Sequence, residues 1–145
     1  MRFLKAMAVA GLTTSLATGA AFAQATKATE KLTIIKGVTG QKLDKLGEGG
    51  KEVFFKEFST IEAADAPLTC GLFRIDKGEP SSNKFDFAVV KFIVDGSIKI
   101  SEASTKTDVV ATKGDVVVIT KGADITFATE NSGTAFFCNQ RAPFH

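Results

Sequence analysis

Lys91 is the residue in this chain best placed to do chemistry. It lies in the run Phe85–Ser101, FDFAVVKFIVDGSIKIS, where apolar residues recur at alternate positions. Side chains alternate across a strand, so Phe85, Phe87, Val89, Lys91 and Ile93 share one face. An amine there is either a rim lysine whose stem packs while its head reaches water, or a desolvated group that seeks an acid or an anionic ligand. Other chemistries fail for want of parts. His145 is the only histidine and the last residue, which leaves no interior imidazole for a Ser-His-Asp or Cys-His site. Two Cys and one terminal His do not make a tetrahedral zinc set. The GEGG at Gly47–Gly50 lacks the Lys-Ser/Thr of a phosphate-binding loop and reads as a flexible turn. Asp76, Glu79, Asp86, Asp95, Asp115 and Asp124 fall near chain corners and could do acid–base work. Asp95 and Asp115 stand beside glycine, where Asp commonly serves the turn itself.

The elements that must position Lys91 read as strands. Two alternating segments, Phe85–Ser101 and Val109–Phe127, run through glycine corners at Asp95-Gly96, Lys113-Gly114-Asp115 and Lys121-Gly122. Alternation broken by turn signals at short intervals predicts a small antiparallel barrel or sandwich. Strands are expected at 51–58, 68–75, 85–94, 97–101, 107–111, 115–119, 124–128 and 134–139. A hairpin is expected about Asp95-Gly96. Residues 76–84 read as a turn, Leu32–Ile35 as an edge strand, and Ile61–Pro67 as a connection with one helical turn. No segment after the first two dozen residues sustains a helical period. Of the aromatic residues all 13 are Phe, which fill a core without burying a hydroxyl or an indole N–H.

The first segment has a different character. Arg2 and Lys5 precede an uncharged run, Ala6–Ala21, and Ala21-Phe22-Ala23 has the form of a signal-peptidase site. Residues 1–23 are therefore expected to be a signal peptide, and the protein to be secreted or periplasmic. The run is too short and too rich in Ser, Thr and Gly to span a membrane well. Removing it takes two of the 18 basic residues and none of the 16 acidic ones, leaving no net charge. A neutral domain argues against nucleic acid or an anionic membrane as partner. The remaining chain divides into an extension and loop at 24–50, one β domain at 51–141, and a tail at 142–145. Cys70 and Cys138 each lie in an apolar run, TCGLF and AFFCN. In an oxidising compartment they can close a disulfide; otherwise they are two small buried core residues.

The glycine spacing resembles that of the cupin superfamily, whose fold is a jelly-roll barrel. Gly96, Gly114 and Gly122 fall at the glycine positions of its two motifs. The match is closest to ethanolamine-utilisation-protein-like cupins. Three stretches carry it: Val89–Gly96, Gly114–Phe127 and Ala135–Arg141, within roughly residues 66–141. The resemblance implies an all-β, single-domain cupin jelly-roll barrel of antiparallel strands. It also shows what is missing. The family's glutamate position is Val89 and its second-motif histidine position is Ile125. The first-motif histidines fall at Asn83 and Phe85, or at Ser82 and Lys84. Transition metals need imidazole, thiolate or carboxylate ligands, so neither a metal nor any other cofactor is expected.

Because Val89 stands at the family's ligand position, its face should point into the barrel and bring Lys91 with it. Phe85, Phe87, Val89, Ile125 and Phe127 would form the walls. Gln140 and Arg141 close the last strand near the rim, where Arg141 could hold a carboxylate in a fork. The expected protein is an exported, metal-free barrel. It binds a small, partly apolar and anionic ligand, or acts as an interaction module, with a homodimer as a further partner state. The alternative is a metal-independent enzyme of the cupin isomerase or lyase type, using Lys91 and nearby carboxylates.

Overall fold

The computed structural model of the chain describes residues 26–27 and 31–144. The expected signal peptide and His145 lie outside these residues. Ten strands are present among the described residues: β1 (Thr26–Lys27), β2 (Asp44–Lys45), β3 (Val53–Ile61), β4 (Leu68–Asp76), β5 (Ser81–Lys84), β6 (Val89–Glu102), β7 (Thr107–Thr112), β8 (Val116–Ile119), β9 (Asp124–Ala128) and β10 (Ser132–Gln140). The one helical element among the described residues is a three-residue 3-10 turn, Val38–Gly40. None is a helix long and apolar enough to cross a membrane. Hydrogen-bonded neighbours follow the path β1-β3-β4-β10-β6-β9-β5, with β2 on β3 and with β7 and β8 on β6. Among these strands β1 and β3 run parallel, and the other described pairings are antiparallel. The architecture is an all-β, curled antiparallel sheet.

Strand β6 is the spine of that sheet. Its first part pairs with β10 and β8, and its second with β7 and β9. The bend between them is Gly96, at φ 67°, a conformation that L side chains rarely adopt. A Cβ there would lie 2.1 Å from the Ser132 carbonyl oxygen. Odd positions Val89, Lys91 and Ile93 are buried before the bend, and even positions Ile98 and Ile100 after it. The residues expected to form a hairpin about Asp95-Gly96 thus form one bent strand. A shift of pairing register opposite Thr134 and Ala135 accompanies the change of parity, as a bulge requires.

The remaining expectations need local corrections. Ser81–Lys84, read as part of a turn, pairs with β9 as an edge strand. Leu32–Ile35 forms no strand and Ile61–Pro67 no helical turn. Inward residues from both parts of β6 meet those of β4, β9 and β10 in one core around Ile93, Ile98, Phe127 and Phe137.

On the opposite face of the sheet, Cys70 of β4 pairs directly with Cys138 of β10. The two are joined by a disulfide, with Cα atoms 4.1 Å apart. It links strands separated by 68 residues, and closing a loop of that size stabilises by about 4 kcal/mol in the chain-entropy treatment. Reduction, or a Cys70→Ser, Cys138→Ser double substitution, should lower unfolding stability by about that amount. Urea melts with and without reductant check this; coincident curves would be the contrary result.

Candidate functional site

Lys91 is opposite Phe137 on β10 and Val117 on β8. Flanked by paired strands, its side chain must leave the sheet on the inner face, and it is only 4% exposed. The amine lies 4.2 Å from the ring centre of Phe73, 5.1 Å from Phe137 and 5.6 Å from Phe127. No carboxylate among the described residues forms a salt bridge with it. Ring faces attract a cation, but they do not replace water. Burial first, and the nearby Arg141 charge second, push the Lys91 amine down from 10.5 to about 7.

The rings are themselves held in place. Phe55 stacks on Phe137 at 4.6 Å between centres. That approach needs Gly71, where a Cβ would come within 2.8 Å of the Phe137 ring. Phe127 packs between Phe73 and Phe85. Phe85 lies outside any strand, yet its backbone is fixed by the Lys121-Gly122 corner. Its N–H donates to Ala123 O at 2.9 Å, and its carbonyl accepts from Gly122 N–H at 2.7 Å.

The rings and Lys91 bound a cavity of about 400 Å³. Phe55, Phe73, Phe85, Phe87 and Phe127 form its apolar wall, with Lys91 and Asn139 as its buried polar groups. Ser81, Ser82, Asn83, Glu48 and Lys51 contribute polar atoms elsewhere on its lining. The structure brings Lys91, Phe85, Phe87 and Phe127 together here. It places the other expected site residues elsewhere. Val89 and Ile125 lie in the packed core and do not line the cavity. Gln140 is exposed, because it is one position out of phase with the inward Phe137 and Asn139.

Arg141 turns to Glu57 instead of the cavity. Its Nη2 donates to Glu57 Oε1 at 2.7 Å, and Glu57 Oε2 accepts the Phe144 N–H at 2.9 Å. The guanidinium lies over the Phe144 ring, 3.4 Å from its centre. Glu57 was not an expected site residue. A register shift in β3, between Glu57 and Ser59, accompanies burial of both Glu57 and Phe58. Asn139 was missed as well, although its spacing of two from Phe137 marks its face.

At the positions where cupins hold metal, Phe85, Val89 and Ile125 are buried hydrophobics and Asn83 pairs with Ile125. This donor set does not fit a transition metal. Among the described residues no group of three or more His, Cys, Asp or Glu converges.

Burial of Lys91 has a pH signature. Between about 7 and 10.5 the unfolded chain holds a proton on this amine that the folded chain has lost. Stability therefore rises with pH through that window and is lower beneath it. Lys91→Met should abolish this rise while leaving stability at pH 6 equal or higher. Urea melts of both proteins across the window check it; parallel pH dependences would count against a desolvated Lys91.

The family model described as Ethanolamine utilisation protein EutQ matches residues 8–142. The match begins inside the segment expected to be a signal peptide. No curated protein matches the chain in sequence. Among solved structures, the Clostridium difficile EutQ protein is similar with a TM-score of 0.62 at 20% identity, covering 73% of this chain and 78% of that one. A putative ethanolamine utilization protein Q from Salmonella typhimurium LT2 gives 0.52 at 17% identity, covering 63% and 71%. An RmlC-like cupin from Shewanella frigidimarina gives 0.57 at 15% identity, covering 79% and 93%. The family match spans nearly the whole chain and the folds agree with it: the protein belongs to the EutQ family of the cupin superfamily.

Proposed function

We propose that this protein is an exported, metal-free cupin barrel that binds a small, partly apolar anion, with Lys91 as the charge anchor. The observation that carries the reading is a buried amine with no acid partner among the described residues, facing a Phe-walled cavity. Unpaired buried charge is costly, and a bound carboxylate would supply the missing partner. Concave apolar walls with a few polar groups are the usual form of a small-molecule site. Export rests on the N-terminal sequence and agrees with the Cys70–Cys138 bridge. The curled sheet is read as the jelly roll of cupins. Ethanolamine, a cation near neutral pH, would be repelled by protonated Lys91, so the family's name does not carry a ligand to this cavity.

A second reading has its own support. An amine lowered to about 7 is partly neutral at physiological pH, as a general base or Schiff-base nucleophile must be. This is the metal-independent isomerase or lyase alternative. One experiment separates the two. Butyrate and benzoate should raise the melting temperature of the native protein and not that of Lys91→Met, with a proton taken up on binding. Equal response of both proteins, or none in either, would reject the anchor. A borohydride-trapped adduct of Lys91 with a keto acid, without carboxylate binding, would favour the enzyme.

The outer face supports a homodimer. Val118, Val90 and Cys138 form one cross-strand row, and Val116, Phe92 and Phe136 the next. Val90, Phe92, Val116, Val118 and Phe136 are all exposed, and a contiguous apolar patch of this kind marks an interaction surface. Sedimentation at micromolar concentration should give a dimer for the native chain and a monomer for Val118→Glu; a native monomer would remove the interface.

A further inference from the structure

The tail beyond β10 reaches a boundary between two hollows. The inner one is the cavity about Lys91. An outer one of about 520 Å³ takes in Lys84, Asp86, Lys121 and Gly122, all of them exposed. Asn83, Phe85, Phe87 and Phe144 line both. The first three belong to one short segment, and Phe144 meets them from the far end of the chain. A ladder of rings connects it to the amine. Lys91 lies over Phe137, Phe137 stacks on Phe55, and Phe55 meets the Phe144 ring edge-on at 5.7 Å. Lys91 is buried and Phe144 is 59% exposed, so the ladder runs from a closed end to an open one.

Phe144 is held at that boundary by its backbone and by its ring. The buried Glu57 carboxylate accepts the Phe144 N–H on one oxygen and the Arg141 side chain on the other. The guanidinium in turn carries the Phe144 ring and lies 5.2 Å from the centre of Phe87, as a cation over aromatic faces does. The Arg141 backbone is fixed as well, its carbonyl accepting the Thr69 hydroxyl at 2.8 Å. Pro143 sets φ immediately before Phe144, which removes one of the few torsions that could swing the ring away.

We infer that Phe144 sets the length of the ligand this cavity takes, and that the ligand is a short-chain carboxylic acid. With its carboxylate on Lys91, the acid runs its carbon chain along Phe55 toward Phe144, where the ring stops it short of the outer hollow. Each methylene buried against the Phe wall adds about fourfold in affinity. One beyond the stop adds nothing, because it must displace the ring or stay in water. The carboxylate rests on the reading of Lys91 as an anion anchor; the stop rests on the boundary alone.

Calorimetry with the straight-chain acids from butyrate to decanoate, and with the matching primary alcohols, tests this. Three proteins are compared: the native chain, Phe144→Ala, and the chain ended after Ala142. Phe144→Ala removes the ring and keeps the backbone N–H on Glu57; the shortened chain keeps Arg141 on Glu57. In the native protein affinity should rise with chain length and then level off within the series. In both variants the plateau should move to longer acids, those just past the native stop binding about fourfold more tightly for each methylene newly buried. A plateau at the same length in all three proteins would overturn the proposal. So would an even loss at every length in the variants, which would make Phe144 a contact and not a stop. A native series with no plateau overturns it without any variant. Alcohols that bind as well as the acids, with a plateau that shifts in the variants, would uphold the stop and reject the Lys91 anchor. Binding of neither series would overturn both.

Discussion

One strand has to serve two parts of a curled sheet, and the bend that allows it is at Gly96. A positive φ with the Ser132 carbonyl packed where a Cβ would be admits only glycine without displacement of β10. The bend changes which parity faces inward. Before it, odd residues of β6 point to the core; after it, even ones do. This is why Lys91 ends inside the molecule while Lys99, eight residues on and also odd, forms an exposed ion pair with Asp108. The two lysines are chemically identical, and strand phase separates a buried cation from a solvated one.

The buried cation is tolerated through two different devices. Three ring faces supply favourable quadrupole contacts, and proton loss near neutrality removes the charge when no partner is present. Arg141, close enough to depress Lys91, stays charged and is neutralised by Glu57 at 2.7 Å. Among the described residues, placing Glu57 on Arg141 and no acid on Lys91 leaves one cation paired and the other unpaired. Such an arrangement is what a binding site needs, since an internally paired lysine has nothing left to offer a ligand.

Much of the sheet was legible because alternation is a local signal. Lys91 was placed correctly on a shared face with Val89 and Ile93 by counting in twos. The failures arose where local signals are degenerate. A glycine at positive φ looks the same in sequence whether it makes a hairpin turn or a bulge within one strand, hence the misplaced hairpin at Asp95-Gly96. Ser81–Lys84 is polar throughout, as an edge strand can be, and composition alone reads it as a turn. Glu57 and Arg141 meet across 84 residues, which no periodicity reports. Asn139 was within reach. The phase of Ala135 and Phe137 identifies it, but the resemblance drew attention to its neighbours Gln140 and Arg141.

The tail beyond β10 has a practical consequence. Phe144 is held by its N–H to Glu57 and by its ring against Phe55 and Arg141, and it lines the cavity. At Phe144 the polypeptide therefore forms part of the cavity lining that also includes Lys91 and Asn139. A segment fused directly after Phe144 would start from a residue that lines the cavity. It would compete with small solutes for that space and pull on the same carboxylate that keeps Arg141 neutralised.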